Sequence, residues 1–138
     1  MKKYLLILSL FLASSVSLFA QDAEDDDEGN EKIRDKMSEY IQKRLNLSND
    51  EAKKFTPVFI EYFKEWRQTL QTYRGPEKKL ERQQKVIELQ IRFRSQFQSI
   101  LGEKRGNRVY EVQQRFLLEL QQLRRNRPAN TRPLRRGA

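Results

Sequence analysis

The 138-residue chain contains no cysteine and no histidine. The first absence excludes disulfide staples and thiol nucleophiles. Together the two remove the usual ligands of zinc, copper and haem, and the side chain most used for proton transfer near neutral pH. Glycine and proline are scarce, at five and four residues, so long irregular loops are not expected. There is no Gly-rich phosphate loop and no G-x-S-x-G elbow. No segment alternates apolar and polar residues between turn signals, so no sheet is expected. Glu61, Glu65, Glu81 and Glu88 lie among Lys and Arg on polar helix faces, where they read as i,i+4 surface partners. No acid–base pair emerges, and the chain reads as a non-enzyme with no cofactor and no metal site.

What is present begins at the N-terminus. Lys2 and Lys3 precede an apolar run from Tyr4 to Leu12, then Ala13-Ser14-Ser15 and Ser17-Leu18-Phe19-Ala20. That is the layout of a secretory signal peptide over 1–20, with cleavage expected after about Ala20. The run is short for a membrane span, and polar sequence follows at once. No cysteine is available for a lipid anchor. The expected location is periplasmic, where there is no ATP supply and nucleic acid is not the default partner.

Charge is divided along the chain. Seven acids, Asp22, Glu24, Asp25, Asp26, Asp27, Glu28 and Glu31, crowd the start of the remaining sequence. From Lys32 onward there are 26 basic and 12 acidic residues, a net of +14. The body is a strong cation, suited to acidic proteins, anionic headgroups or anionic glycans. Residues 21–30 read as a disordered acidic segment, with no carboxylate spacing that fits a calcium loop. Residues 124–138, with Arg124, Arg125, Arg127, Arg132, Arg135 and Arg136 among prolines and asparagines, read as a disordered Arg-rich tail. The tail can contact an anionic membrane peripherally, but without aromatics it suits single-stranded nucleic acid poorly.

Between these ends the spacing predicts four helices in one domain, 31–123. The first covers about Glu31–Arg44 with Ile33, Met37, Tyr40 and Ile41 on one face. The second opens at Ser48, with Glu51 completing a capping box. Its stripe is Ala52, Phe55, Phe59, Tyr62, Phe63, Trp66, Leu70 and Tyr73. Pro57 lies inside it and is expected to bend one continuous helix. Gly75-Pro76 is a turn. The third helix, about Glu77–Leu101, carries Val86, Leu89, Phe93, Phe97 and Ile100, with a second row, Leu80, Ile87 and Ile91, about 100° around the axis. The fourth, about Glu103–Leu123, carries Val109, Val112, Phe116, Leu120 and Leu123, with Tyr110 and Leu117 to one side. The fold class is all-α: helices two and three form a long hairpin and helix four packs back along it. So thin a hairpin leaves apolar surface for a partner subunit, and a homodimer is expected.

Two helix starts share a pattern. Leu47-Ser48-Asn49-Asp50-Glu51 and Leu101-Gly102-Glu103-Lys104-Arg105 each place Leu before the cap of a long amphipathic helix. Here the chain resembles the Spy/CpxP family of small helical periplasmic proteins, which carries two Leu-Thr-x-x-Gln motifs at these places. Ser48 and Glu51 conserve the chemistry of the first copy. In the second, Gly102 stands for Thr and Arg105 for Gln, so the reciprocal side-chain bond is lost. The run Leu45-Asn46-Leu47-Ser48 to Glu51-Ala52, Phe55 and Pro57 is also similar to the branch labelled heavy-metal sensor or resistance proteins. The resemblance implies a cradle-shaped dimer. It implies either an ATP-independent chaperone or a regulator that restrains a membrane sensor of envelope or metal stress.

The candidate binding residues are Arg82, Lys85, Arg92, Arg94, Arg105, Arg108 and Arg115, interleaved with Ile87, Ile91, Tyr110 and Leu117. Cations mixed with apolar groups suit unfolded, partly acidic chains: charge speeds capture and apolar groups retain the client. The same residues suit a dimer contact or docking on one acidic membrane sensor. A third reading is a membrane-surface or glycan-binding structural protein driven by the Arg tail.

Overall fold

The computed structural model describes residues 20–127, with side chains from Glu28 onward; the expected leader except Ala20 and most of the Arg-rich tail lie outside the described residues. Four α-helices, one short 3-10 turn and no strand occur among them: α1 Ala20–Arg44, α2 Asn49–Thr72, the 3-10 turn Pro76–Lys78, α3 Lys79–Leu101 and α4 Glu103–Arg125. The all-α class and the four helices agree with the sequence pattern. Helix α1 starts earlier than Glu31, and its backbone continues through the acidic stretch 21–30 expected as a tail. Extending an existing helix fixes only one residue per added bond, and acids near an N-terminus complement the helix dipole. Up to Lys36 this helix belongs to a unit of its own, with Lys32 bonded to Glu28 at 3.0 Å and Arg34 to Asp35 at 2.9 Å.

The second unit begins at Met37 and holds the core. Ser48 accepts a hydrogen bond from the Glu51 amide at 3.2 Å, and its own amide donates to the Glu51 carboxylate at 3.1 Å. The capping box thus starts α2, which then runs unbroken through Pro57. Phe55, Phe59, Tyr62, Phe63 and Trp66 are buried along its stripe. Helices α2 and α3 are antiparallel: Phe55 meets Phe97, Tyr62 meets Phe93, and Arg82 reaches back to the Tyr73 carbonyl. The 3-10 turn takes up the residues expected to begin α3.

Gly102 joins α3 to α4 at φ +83, a backbone conformation that glycine adopts without strain. Helix α4 then returns beside α3 so closely that a Cβ on Gly106 would lie 2.7 Å from the Gln98 Cα. Val109 and Val112 are buried as expected. Leu123, expected at the end of that stripe, is 67% exposed: the stripe outruns the aromatic cluster, whose α4 contacts end at Tyr110, and the edge contact of Phe116 with Tyr40. From α1, Met37, Ile41 and Leu45 enter the core, while Gln42 donates to the Thr56 hydroxyl on α2 and Tyr40 to Glu119 on α4.

A tyrosine sits at the centre. The Tyr62 hydroxyl donates to Gln113 Oε1 at 2.7 Å and accepts from Gln90 Nε2 at 3.4 Å. Burial pushes this phenol up to about 12. Burial also raises the Tyr110 phenol, which donates to the Gln90 carbonyl at 2.6 Å. Gln113 Nε2 remains buried without a partner.

Candidate partner-binding surface

The interleaved residues separate into three groups according to how the helices turn them. The first group faces α2. Arg82 is half-buried and donates to the Tyr73 and Gly75 carbonyls at 2.7 and 3.1 Å, tying down the turn before α3. Arg92 pairs with Glu65 across the helix interface, and Lys85 pairs with Glu88 at 3.2 Å. The Glu88 carboxylate holds the Lys85 ammonium above the usual lysine range. Lys85 and Arg92, without Arg82, line an open groove of about 560 Å³ with Glu65, Glu88 and Thr69. Its carboxylates balance its cations, so it is no anion trap. Glu65, expected to bond along its own helix, instead bonds across to α3 because the antiparallel packing brings Arg92 opposite.

The second group belongs to the helix starts. Arg105 pairs with Glu51, and its guanidinium also donates to the Leu101 carbonyl at 3.2 Å and to the Leu45 and Asn46 carbonyls at 3.5 Å. The hydrogen bond from Arg105, then that from the Ser48 amide, holds the Glu51 carboxyl below the usual carboxylate range. Glu51 and Arg105, at the same place in the two similar helix starts, therefore form an ion pair that ties the α1–α2 turn to the α3–α4 turn. Sequence reading identified Glu51 as a local cap and Arg105 as a binding cation. It missed their contact because the residues stand 54 apart in the chain. A base four residues after Leu101, where an acid stands four residues after Leu47, was the available signal. Leu101 is buried behind this node and Leu47 half-buried beside it.

The third group is the outer side of α3. Ile87 and Ile91 are 55% and 54% exposed, and Leu80 is 78% exposed. Arg94 is exposed on the same side and has no ion-pair partner among the described residues. On α4, Arg108 is exposed and Arg115 bonds Glu111 at 3.3 Å. Tyr110, expected on the binding face, is instead half-buried among Tyr62 and Phe97, because its ring fills the gap where α4 crosses α3. Leu117 is half-buried.

No helix among the described residues is long and apolar enough to cross a membrane. No protein-family model matches the chain, no curated protein matches it in sequence, and no solved structure matches it in fold.

Proposed function

We propose that the protein is an exported, ATP-independent chaperone-like binder of unfolded or stress-damaged envelope proteins, working in the periplasm as a homodimer. The observation that carries this reading is the row Leu80, Ile87 and Ile91, left open on α3 of a strongly cationic body. Large apolar side chains grouped on one exposed helix face mark an interaction surface. Arg94 beside them supplies charge that draws acidic segments in, and the apolar row holds what arrives. The other cations named above have internal partners or lie elsewhere, except Arg108, so the row and Arg94 form the core of the binding face. The resemblance to the Spy/CpxP family supports the same reading through the two helix starts.

The test is light scattering of an unfolded client diluted into buffer with and without the protein, without ATP and at rising salt. Suppression of aggregation that weakens as salt screens the capture step is expected. Absence of suppression at every salt concentration overturns the proposal and favours docking on a single acidic membrane sensor.

A further inference from the structure

The groove between α2 and α3 is lined by charges that are already spoken for. At one end Arg92 pairs with Glu65; at the other, where Tyr73 ends α2, Lys85 bonds Glu88 at 3.2 Å. Leu89 is buried between the two ends. The α2 wall from Glu65 to Tyr73 is about 12 Å long, at about 1.5 Å per residue. The volume of about 560 Å³ falls inside the range of about 300–1,000 Å³ typical of small-molecule sites.

The groups still open to a ligand are neutral. The Thr69 hydroxyl donates to the Glu65 carbonyl at 2.8 Å. The side chains of Gln68, Thr72 and Tyr73 also line the groove, and none has a hydrogen-bond partner among the described residues. They offer one amide and two hydroxyls, each able to donate and to accept. A charged ligand would have to open one of the two ion pairs and leave a protein charge without its partner. A ligand rich in uncharged hydroxyls bonds the amide and hydroxyls directly and leaves both pairs closed. The Tyr73 ring and Leu89 supply the apolar contact that the C–H groups of a sugar ring need, and tyrosine combines that contact with a polar tip.

We infer that this groove binds a short stretch of an uncharged glycan, with Gln68, Thr72 and Tyr73 as its contact residues. Because the groove is open, it admits linked rings and not a single sugar alone. The site is separate from the client face. At about 100° per residue, Lys85, Glu88 and Arg92 lie about 110° around α3 from the row Leu80, Ile87 and Ile91. Saccharide binding and client binding therefore stand or fall independently.

The test is isothermal titration calorimetry on the protein with the trisaccharide of N-acetylglucosamine and with maltotriose. The monosaccharide N-acetylglucosamine serves as the short probe. At least one trisaccharide is expected to bind with a Kd of about 1 mM or tighter, and several-fold more tightly than the monosaccharide. The affinity is expected to hold as salt rises, because no ion pair is exchanged. Gln68→Ala combined with Thr72→Ala changes two exposed positions, so the fold is retained, which circular dichroism checks. This double variant is expected to weaken binding about tenfold, through two lost hydrogen bonds. Tyr73→Phe removes only the hydroxyl and is expected to weaken it about threefold or more. Absence of binding by both trisaccharides overturns the inference. So does binding that both variants leave unchanged, which would place the sugar elsewhere. Binding that falls steeply with salt overturns the uncharged class of ligand, and equal binding of the monosaccharide overturns the linked stretch.

Discussion

The two sides of helix α3 carry similar apolar side chains to opposite ends. On the inner side, Leu89 and Phe93 are 4% exposed and Phe97 is fully buried. On the outer side, residues of the same character stand open to water. The inner side is under geometric constraint from every neighbour: Phe97 touches Phe55, Tyr62, Phe93 and Tyr110. The outer row Leu80, Ile87 and Ile91 is exposed among the described residues, and no such cluster surrounds it. Composition alone does not separate the buried from the exposed side; the helix neighbours do.

Breaking the inner side is expected to cost most. Phe97→Ala removes a ring at the centre of the aromatic cluster and is expected to destabilise the fold by about 3–5 kcal/mol, measured by denaturant unfolding. Deprotonating the centre acts through Tyr62. Its phenol titrates near 12 in the folded chain against an ordinary value of 10, so the folded state favours the neutral form. The stability this brings is complete below pH 10 and is lost as pH rises through 12; at about 1.4 kcal/mol per unit the loss approaches 3 kcal/mol. Thermal melting between pH 9 and 12 should show the fall, and Tyr62→Phe should flatten the part of it that Tyr110 does not contribute. Gly106→Ala pushes a methyl against the Gln98 backbone and is expected to cost about 1–3 kcal/mol by the same unfolding measurement, although alanine favours helix. Ile87→Gln with Ile91→Gln on the outer side is expected to change stability by under about 0.5 kcal/mol. A larger loss would show that the outer row belongs to the core and would remove the contrast.

Much of this was legible in the sequence because it is local. The capping box at Ser48 and Glu51, the turn at Gly75-Pro76 and the phase of the aromatic stripe follow from residues within a few positions of each other. The open row of Leu80, Ile87 and Ile91 was visible for the same reason, as an arc wider than one helix contact needs. What was not legible depends on distant pairing. Tyr110 lies off the main stripe of α4, so its phase reads as surface; only the closeness of α3 and α4 at Gly106 makes room for its ring inside. Arg105 and Arg92 read as free cations because their carboxylate partners come from another helix, and Arg82 because its partners are carbonyls of the turn. Charge counted along the chain therefore overstates the unpaired cations: pairing across helices, along them and at the turn leaves Arg94 and Arg108 of the candidate cations without an ion-pair partner among the described residues.

The measurement that bears most directly on the proposed function is client aggregation followed by light scattering, with the natural protein and the Ile87→Gln, Ile91→Gln variant side by side at low salt. The account predicts that the natural protein suppresses scattering and that the variant, equally well folded, does not. Equal suppression by both proteins would contradict it, because the outer face of α3 would then have no part in holding the client.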